Sequence, residues 1–104
     1  MTAIGRIARA KVKYRSGARE NDIVYVTGYL GDSAQGLLDI RSGVYDSPFV
    51  AVHHDPHPCV NEGIWLGNQP EVHAMMDISD GLASDLPHIL EESETGAEIS
   101  IERI

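Results

Sequence analysis

The sequence predicts an α+β protein in which helices pack on a mixed β-sheet. Segments with alternating or β-branched apolar residues, typical of strands, occur near both ends of the chain. Segments with helical spacing lie between them, and the predicted order is strand, strand, helix, loop, strand, helix, strand. A chain of 104 residues with this mixture corresponds to about one domain.

Four segments are predicted as strands. From Ala8 to Arg15, apolar and basic residues alternate, which is typical of a strand with one buried face. The short apolar run from Asp22 to Thr27 predicts a buried strand. The predicted sheet is completed by residues 72–78, with Asp77 at the end of the strand, and by residues 97–103.

Two helices are predicted in the first two thirds of the chain. The first follows Asp32 or Ser33, either of which can cap a helix, and Gly43 is expected to end it. A short second helix is predicted over residues 62–67. Residues 42–58, which contain three prolines, are predicted to be irregular.

A further helix is predicted from residue 82 to about residue 95, because four apolar residues share one helical face: Leu82, Leu86, Ile89 and Leu90. Pro87 cannot donate a hydrogen bond to the carbonyl of Ala83. We therefore expect a kink there, or a restart capped by Ser84, with Gly96 ending the helix.

Charge is distributed unevenly along the chain. The net charge is −8, yet residues 1–19 contain six basic residues and no acid, and all sixteen acidic residues follow. An acidic body repels nucleic acid, and an aromatic content of 6% argues against a stacking surface for single strands. We expect no nucleic-acid partner, and a phosphate ligand would need a divalent cation between it and the body.

The sequence also limits the cellular location. It has no apolar run near 18 residues and no apolar signal-peptide core, so we expect no membrane span and no membrane partner. Its single cysteine, Cys59, excludes an internal disulfide and fits a reducing compartment. We therefore expect a cytoplasmic protein.

The segment Asp77-Ile-Ser-Asp-Gly81 is the strongest candidate site. Asp77 ends a predicted strand and Asp80 begins a predicted helix, so their carboxylates can converge on one hard cation. Ser79 lies between them, beside backbone N–H groups expected to be free at a helix start. The alternative interpretation is that Ser79 or Asp80 only caps the helix.

Three other segments suggest chemistry less strongly. Gly28-x-x-Gly31 could approach an anion, or could be a simple turn. Arg15 could bind a phosphate bidentately, or could belong to a solvated strand face. A loop that could bind zinc or nickel contains His53, His54, His57 and Cys59. The spacing of these residues matches no standard metal site, so the favoured interpretation is a merely polar loop.

Three segments together resemble a known family: residues 15–22, residues 24–36 and residues 76–86, which contain the Asp-Ile-Ser-Asp-Gly-Leu motif. They are similar to the thiamine-monophosphate kinases, which belong with aminoimidazole ribonucleotide synthetase. The resemblance implies ATP-dependent phosphorylation of thiamine monophosphate to the diphosphate. It implies Asp77 and Asp80 as magnesium ligands, and Arg15 and Ser79 as ATP contacts.

The resemblance also implies an arrangement of domains. Residues 1–20 would end an N-terminal, ATP-binding domain as a linker strand, and residues 21–104 would begin the C-terminal α+β domain of the aminoimidazole ribonucleotide synthetase-like fold. We expect a fragment that is inactive by itself and associates with further copies through residues 2–15. The alternative is a non-catalytic nucleotide-binding, metal-binding or structural module derived from that family.

Overall fold

The computed structural model describes residues 4–103, and this part of the chain is helical. It divides into two compact units, one made of Met1–Ile23 and Ile64–Ile104 and the other of Val24–Gly63. Within residues 4–103, no helix is both long and apolar enough to cross a membrane. The helices are α1 (Asp32–Arg41), α2 (Pro48–His54), α3 (Val60–Gly67) and α4 (Leu82–Glu92), and short 3₁₀ turns cover Arg9–Lys11, Arg15–Gly17 and Ile101–Arg103.

The predicted mixed sheet is wrong. Residues 4–103 contain no strand, and the only ladder-type pairing described there is an isolated parallel bridge between Tyr14 and Ala74. Alternation indicates which side chains would share a face, but a strand forms only where a neighbouring backbone supplies hydrogen bonds. The segments predicted as strands, residues 8–15, 22–27, 72–78 and 97–103, meet such a neighbour only at that bridge.

Within two of the predicted strand segments, some residues form local 3₁₀ turns. The amide of Lys11 donates to the carbonyl of Ala8 at 2.8 Å, which closes a 3₁₀ turn inside the alternating segment. Ile101–Arg103 forms another 3₁₀ turn. In both places the backbone bonds to a near neighbour along the chain, and this local bonding prevents a regular period of two.

Helix α1 confirms the predicted helix, with a correction at its start. The capping position is Gly31, in the left-handed region at φ +94°, and neither Asp32 nor Ser33 caps the helix with its side chain. Asp32 instead lies in the first turn, where a negative charge suits the helix dipole. Gly43, at φ +79°, ends the helix as predicted, and the amide of Val44 donates to the carbonyl of Asp39 at 2.9 Å.

Helix α2 lies in a region that was predicted to be irregular. Its start is fixed by Ser47, whose hydroxyl accepts a hydrogen bond from the amide of Phe49 at 3.2 Å, and Pro48 occupies the first helical position. A Ser-Pro pair at a helix start is a recognisable signal in a sequence. Helix α2 packs against α1, and Val50 is the one buried apolar side chain among residues 4–102.

Helix α3 confirms the predicted short helix and extends it to Val60–Gly67. Helix α4 is continuous from Leu82 through Pro87, so the restart at Ser84, one of the two predicted alternatives, is wrong. It ends at Glu92, before the predicted Gly96, because Glu94 adopts the left-handed conformation at φ +52°. The amide of Thr95 then donates to the carbonyl of Leu90 at 3.0 Å.

The unit that contains α4 is held together near the chain's basic segment. Helix α4 packs against the turn Arg15–Gly17, and the bridge between Tyr14 and Ala74 brings the same turn to residues 73–74. Gly17 lies so close to the carbonyl of His73 that a side chain at position 17 would overlap it. The predicted domain boundary between residues 20 and 21 concerns a longer protein and stays a prediction.

Candidate functional site

The segment Asp77–Gly81 forms the turn that leads into α4. The side chains of Asp77, Ser79 and Asp80 are all exposed to solvent. Two carboxylates and one hydroxyl are therefore presented at the surface within four residues of chain. All three belong to the same compact unit as Arg15.

The carboxylate of Asp85 holds this turn in place from inside the first turn of α4. One of its oxygens, Oδ2, accepts hydrogen bonds from the amides of Ser79 at 2.8 Å, Asp80 at 3.0 Å and Gly81 at 3.1 Å. The amides beside Ser79 are thus already bonded, contrary to the expectation that they are free. Only 4% of Asp85 is exposed, which makes it the one buried charged residue among residues 4–102.

Hydrogen bonding explains the electrostatics of Asp85. The amide of Ser79 has the largest effect and, with the amides of Asp80 and Gly81, lowers the pKa of the Asp85 carboxyl below its ordinary value, although burial opposes this. The carboxylate therefore stays ionised at neutral pH. Its negative charge also lies near the positive end of the α4 dipole, where it is favourable.

Gly81 makes the turn geometrically feasible. Its backbone angles are φ +107° and ψ 156°, a combination that is essentially limited to glycine. This conformation lets three successive amides point at one carboxylate. Asp85 was not predicted as a site residue, because Ser79 and Asp80 are the nearer capping groups in the sequence. The available signal was an acidic residue four positions after a glycine at a helix start.

Arg15 lies at the other end of α4. Its guanidinium is 3.9 Å from the carboxylate of Glu92, and both side chains are about half exposed. The hydroxyl of Ser93 donates to the carbonyl of Arg15 at 2.7 Å and accepts from the amide of Ala18 at 3.1 Å. The turn that carries Arg15 is thereby fixed to the end of the helix.

Helix α4 consequently links the predicted site residues without bringing them into one cluster. Asp85 and Glu92 are seven residues apart on α4, which corresponds to about 10 Å along a helix. Asp85 bonds the amides of Ser79 and Asp80, whereas Glu92 faces Arg15. The structure therefore places the Asp77–Asp80 turn and Arg15 at opposite ends of α4.

The donor set of the turn fits magnesium better than a transition metal. Asp77 and Asp80 offer hard carboxylate oxygens, and magnesium is commonly held by one or two carboxylates while it keeps several waters or takes phosphate oxygens. Across residues 4–103, no group of three or more histidine, cysteine, aspartate or glutamate side chains is arranged to hold a metal ion. Asp77 and Asp80 would therefore supply only part of the coordination sphere of a magnesium ion.

The other candidate segments lie in the second unit. The imidazole of His53 is hydrogen-bonded to the hydroxyl of Ser33 at 3.0 Å, and its ring centroid is 5.9 Å from that of His54. Cys59 is a free, exposed thiol. Gly28 and Gly31 both have positive φ, and Gly31 is used as the cap of α1.

One pair of ionisable residues was not considered from the sequence. The Nδ1 atom of His73 lies 2.9 Å from both carboxylate oxygens of Asp22, and the amide of Arg19 donates to the same carboxylate at 2.8 Å. The Arg19 amide, followed by His73, lowers the pKa of the Asp22 carboxyl. Because 51 residues separate the partners, no local sequence signal could have indicated this pair.

Comparison with known proteins shows which family the chain resembles. Residues 19–104 match the family described as AIR synthase related protein, C-terminal domain. Proteins named thiamine-monophosphate kinase are similar to the chain: one from Methanospirillum hungatei is 43% identical over 103 residues, covering 99% of this chain and 34% of its own length. One from Escherichia coli K12 is 38% identical over 103 residues, covering 93% and 31%.

A similar kinase from Buchnera aphidicola of Acyrthosiphon pisum is 34% identical over 110 residues and matches all of this chain and 33% of its own length. The chain therefore spans about a third of the length of the curated relatives it matches. No solved structure matches the chain significantly.

Proposed function

The chain belongs to the family of AIR synthase related proteins, whose C-terminal domain corresponds to residues 19–104, and we propose that it is part of a thiamine-monophosphate kinase. Such an enzyme would use ATP and Mg²⁺ to convert thiamine monophosphate to thiamine diphosphate. The observation that carries the proposal is the exposed pair Asp77 and Asp80 on a turn held by Asp85. The names of the relatives support the reaction.

In this proposal Asp77 and Asp80 hold magnesium. When bound, the ion would neutralise charge on the phosphate oxygens of ATP, which is the main requirement of phosphoryl transfer. The exposed hydroxyl of Ser79 would donate a hydrogen bond to one of those oxygens. Because Ser79 and the two aspartates lie on one turn, the same local geometry orients all three groups.

Arg15 is proposed to contact ATP through its guanidinium. Its present partner, Glu92, is 3.9 Å away and half exposed, and ion pairs of this kind contribute little. A phosphate offers two oxygens to the planar guanidinium and is the better partner. ATP would therefore displace Glu92 from Arg15 at low energetic cost.

In the longer protein, residues 1–20 would end an ATP-binding domain and residues 21–104 would begin the next domain. A cytoplasmic location agrees with the free, exposed thiol of Cys59. The alternative, a non-catalytic nucleotide-binding, metal-binding or structural module, shares the turn but lacks the reaction. Ligand titration distinguishes a purely structural module, which would bind neither metal nor nucleotide, from a module or enzyme that binds them.

The test is a titration of the isotope-labelled chain with Mg²⁺, and with Mn²⁺ as a paramagnetic probe, followed by NMR. We expect weak binding, on the order of millimolar, with the largest effects at residues 77–80. Asp77→Asn should abolish these effects, whereas the matched variant Asp55→Asn, within residues 53–59, should retain them. Perturbation confined to residues 53–59 would contradict the proposed metal site, and no perturbation by Mg²⁺ or ATP would favour the structural module.

ATP is then added to the magnesium-loaded chain. We expect shifts at Ser79 and at the side chain of Arg15, and Arg15→Gln should weaken them. Glu92→Gln removes the competing carboxylate and should strengthen the ATP-dependent shift at Arg15. An unchanged response in Arg15→Gln would contradict the proposed contact.

A further inference from the structure

Asp85 is the only charged residue that is buried among residues 4–102, and three consecutive amides converge on its Oδ2. From this geometry we propose that Asp85 is a positioning residue that holds the Ser79–Gly81 turn in the one arrangement that presents Ser79 and Asp80 to a metal-bound phosphate. The inference rests on the proposed function, because it deepens the same site.

The position of Asp85 separates it from the residues that would touch a ligand. Its side chain is 4% exposed, whereas those of Asp77, Ser79 and Asp80 are exposed. Its Oδ2 already accepts three hydrogen bonds, so that atom is saturated. Asp85 therefore acts on the site through the backbone of its neighbours and not by coordinating the ion itself.

The three hydrogen bonds also determine how phosphate can bind. Amides at the start of a helix are ordinarily available to an anion. Here the amides of Ser79, Asp80 and Gly81 are occupied by a carboxylate, whose charge also repels phosphate. Phosphate binding at this turn should consequently depend on the cation held by Asp77 and Asp80, with the Ser79 hydroxyl as the only direct donor from these residues.

Two substitutions at one position separate positioning from charge. Asp85→Ala removes both the charge and the acceptor, whereas Asp85→Asn removes the charge but keeps an oxygen that can accept the three amides. Glu91→Ala serves as a control, because it removes an exposed negative charge from the same helix without touching the turn. Circular dichroism verifies that α4 persists in each variant.

The first measurement is hydrogen exchange at the amides of Ser79, Asp80 and Gly81 without metal. We expect protection in the unsubstituted chain, partial protection in Asp85→Asn and its loss in Asp85→Ala. The second is Mn²⁺ binding at residues 77–80, for which disruption of an orienting partner weakens affinity by about 10-fold or more. We expect this weakening in Asp85→Ala and a clearly smaller one in Asp85→Asn.

The third measurement uses inorganic phosphate without metal as the probe. It should not shift the three amides in the unsubstituted chain or in Glu91→Ala, but it should shift them in Asp85→Ala, where they are released. The positioning role alone would be overturned by either of two results. One is equal Mn²⁺ affinity in the unsubstituted chain and both Asp85 variants, and the other is an equal loss of Mn²⁺ affinity in the two variants. Absence of Mn²⁺ binding at residues 77–80 in the unsubstituted chain would overturn the proposed function and the positioning role together.

Discussion

The hydroxyl of Ser93 lies 2.7 Å from the carbonyl oxygen of Arg15, although 78 residues separate them in the sequence. The same hydroxyl oxygen accepts a hydrogen bond from the amide of Ala18. One small side chain at the end of α4 thus satisfies a donor and an acceptor of the turn that carries Arg15. The placement of Arg15 depends on Ser93 more directly than on its exposed pair with Glu92.

Replacement of Ser93 by alanine should therefore loosen this turn. Ser93→Ala removes one partly buried and one exposed hydrogen bond, each of which contributes about 1 kcal/mol or less, so we expect the free energy of unfolding to fall by about 1–2 kcal/mol. Chemical denaturation measures the change. Ser100→Ala is the control, since its hydroxyl reaches only the exposed Glu102 and its loss should leave stability nearly unchanged. Equal stability of both variants would contradict the role of Ser93.

Two helical glycines should respond oppositely to alanine. A methyl group on Gly36 would overlap the carbonyl of Phe49 and lie 2.8 Å from Cβ of His53, so Gly36→Ala should destabilise the chain by about 1–3 kcal/mol. Gly63 in α3 has open space around the same position. Gly63→Ala should stabilise the chain by up to about 1 kcal/mol through helix propensity. Thermal melts of the two variants test the packing of α1 on α2, and a stabilising Gly36→Ala would show that these helices do not meet there.

Acid should weaken the chain partly through Asp22. The pKa of its carboxyl is lower in the folded chain than in the unfolded one, chiefly through the Arg19 amide and then through His73. The stabilisation is thus fully present above the unfolded pKa of about 4 and is lost as pH falls through the folded value. In denaturation series below about pH 5, Asp22→Asn should show a smaller loss of stability than the unsubstituted chain. A loss of the same size in both would exclude this contribution.

The chain alone should not convert thiamine monophosphate to the diphosphate. Two carboxylates leave a magnesium ion coordinated mainly by water, and phosphoryl transfer depends on the positioning of the nucleotide by many groups. We expect no detectable product with ATP and Mg²⁺ in a coupled assay. Turnover that Asp77→Asn abolishes would show that these residues already form a complete enzyme.

Association with a second copy through residues 2–15 is also predicted; residues 2 and 3 lie outside the described residues. Ile4, Ile7 and Tyr14 are 95%, 65% and 61% exposed, and the basic residues around them complement the acidic remainder of another copy. Light scattering after size exclusion should give a mass of at least twice 11.3 kDa. Ile7→Ser should shift it towards the monomer, whereas Ile64→Ser, at an equally exposed position in α3, should not. A monomer at every concentration would contradict the prediction.

The helices could be predicted better than the rest of the fold. The apolar spacing around Leu82 and the glycine after α1 are local signals, and both indicated helices that the structure contains. The strands failed because alternation specifies a face but not a partner, and Tyr14 and Ala74 provide only a single bridge. Helix α2 was missed although Ser47 and Pro48 form a recognisable start.

The residues of the candidate site also differ in whether the sequence could predict them. Asp77, Ser79 and Asp80 could be selected because they are adjacent in the sequence and their chemistry is complementary. The role of Asp85 required the positive φ of Gly81, which turns three amides towards one oxygen and which no residue pattern specifies. The contact of Ser93 with Arg15 and that of His73 with Asp22 join distant segments, so only the folded chain reveals them.

Val50 is the one buried apolar side chain among residues 4–102, and this has a calorimetric consequence. The heat capacity of unfolding arises mainly from newly hydrated apolar surface, and compact domains show about 12–15 cal/mol/K per residue. Large side chains such as Ile23, Tyr25 and Trp65 are already 73%, 82% and 62% in contact with solvent in the folded chain. The heat-capacity increment of unfolding should accordingly fall well below that range. The unfolding endotherm should be broad, and the free energy of unfolding should vary little with temperature.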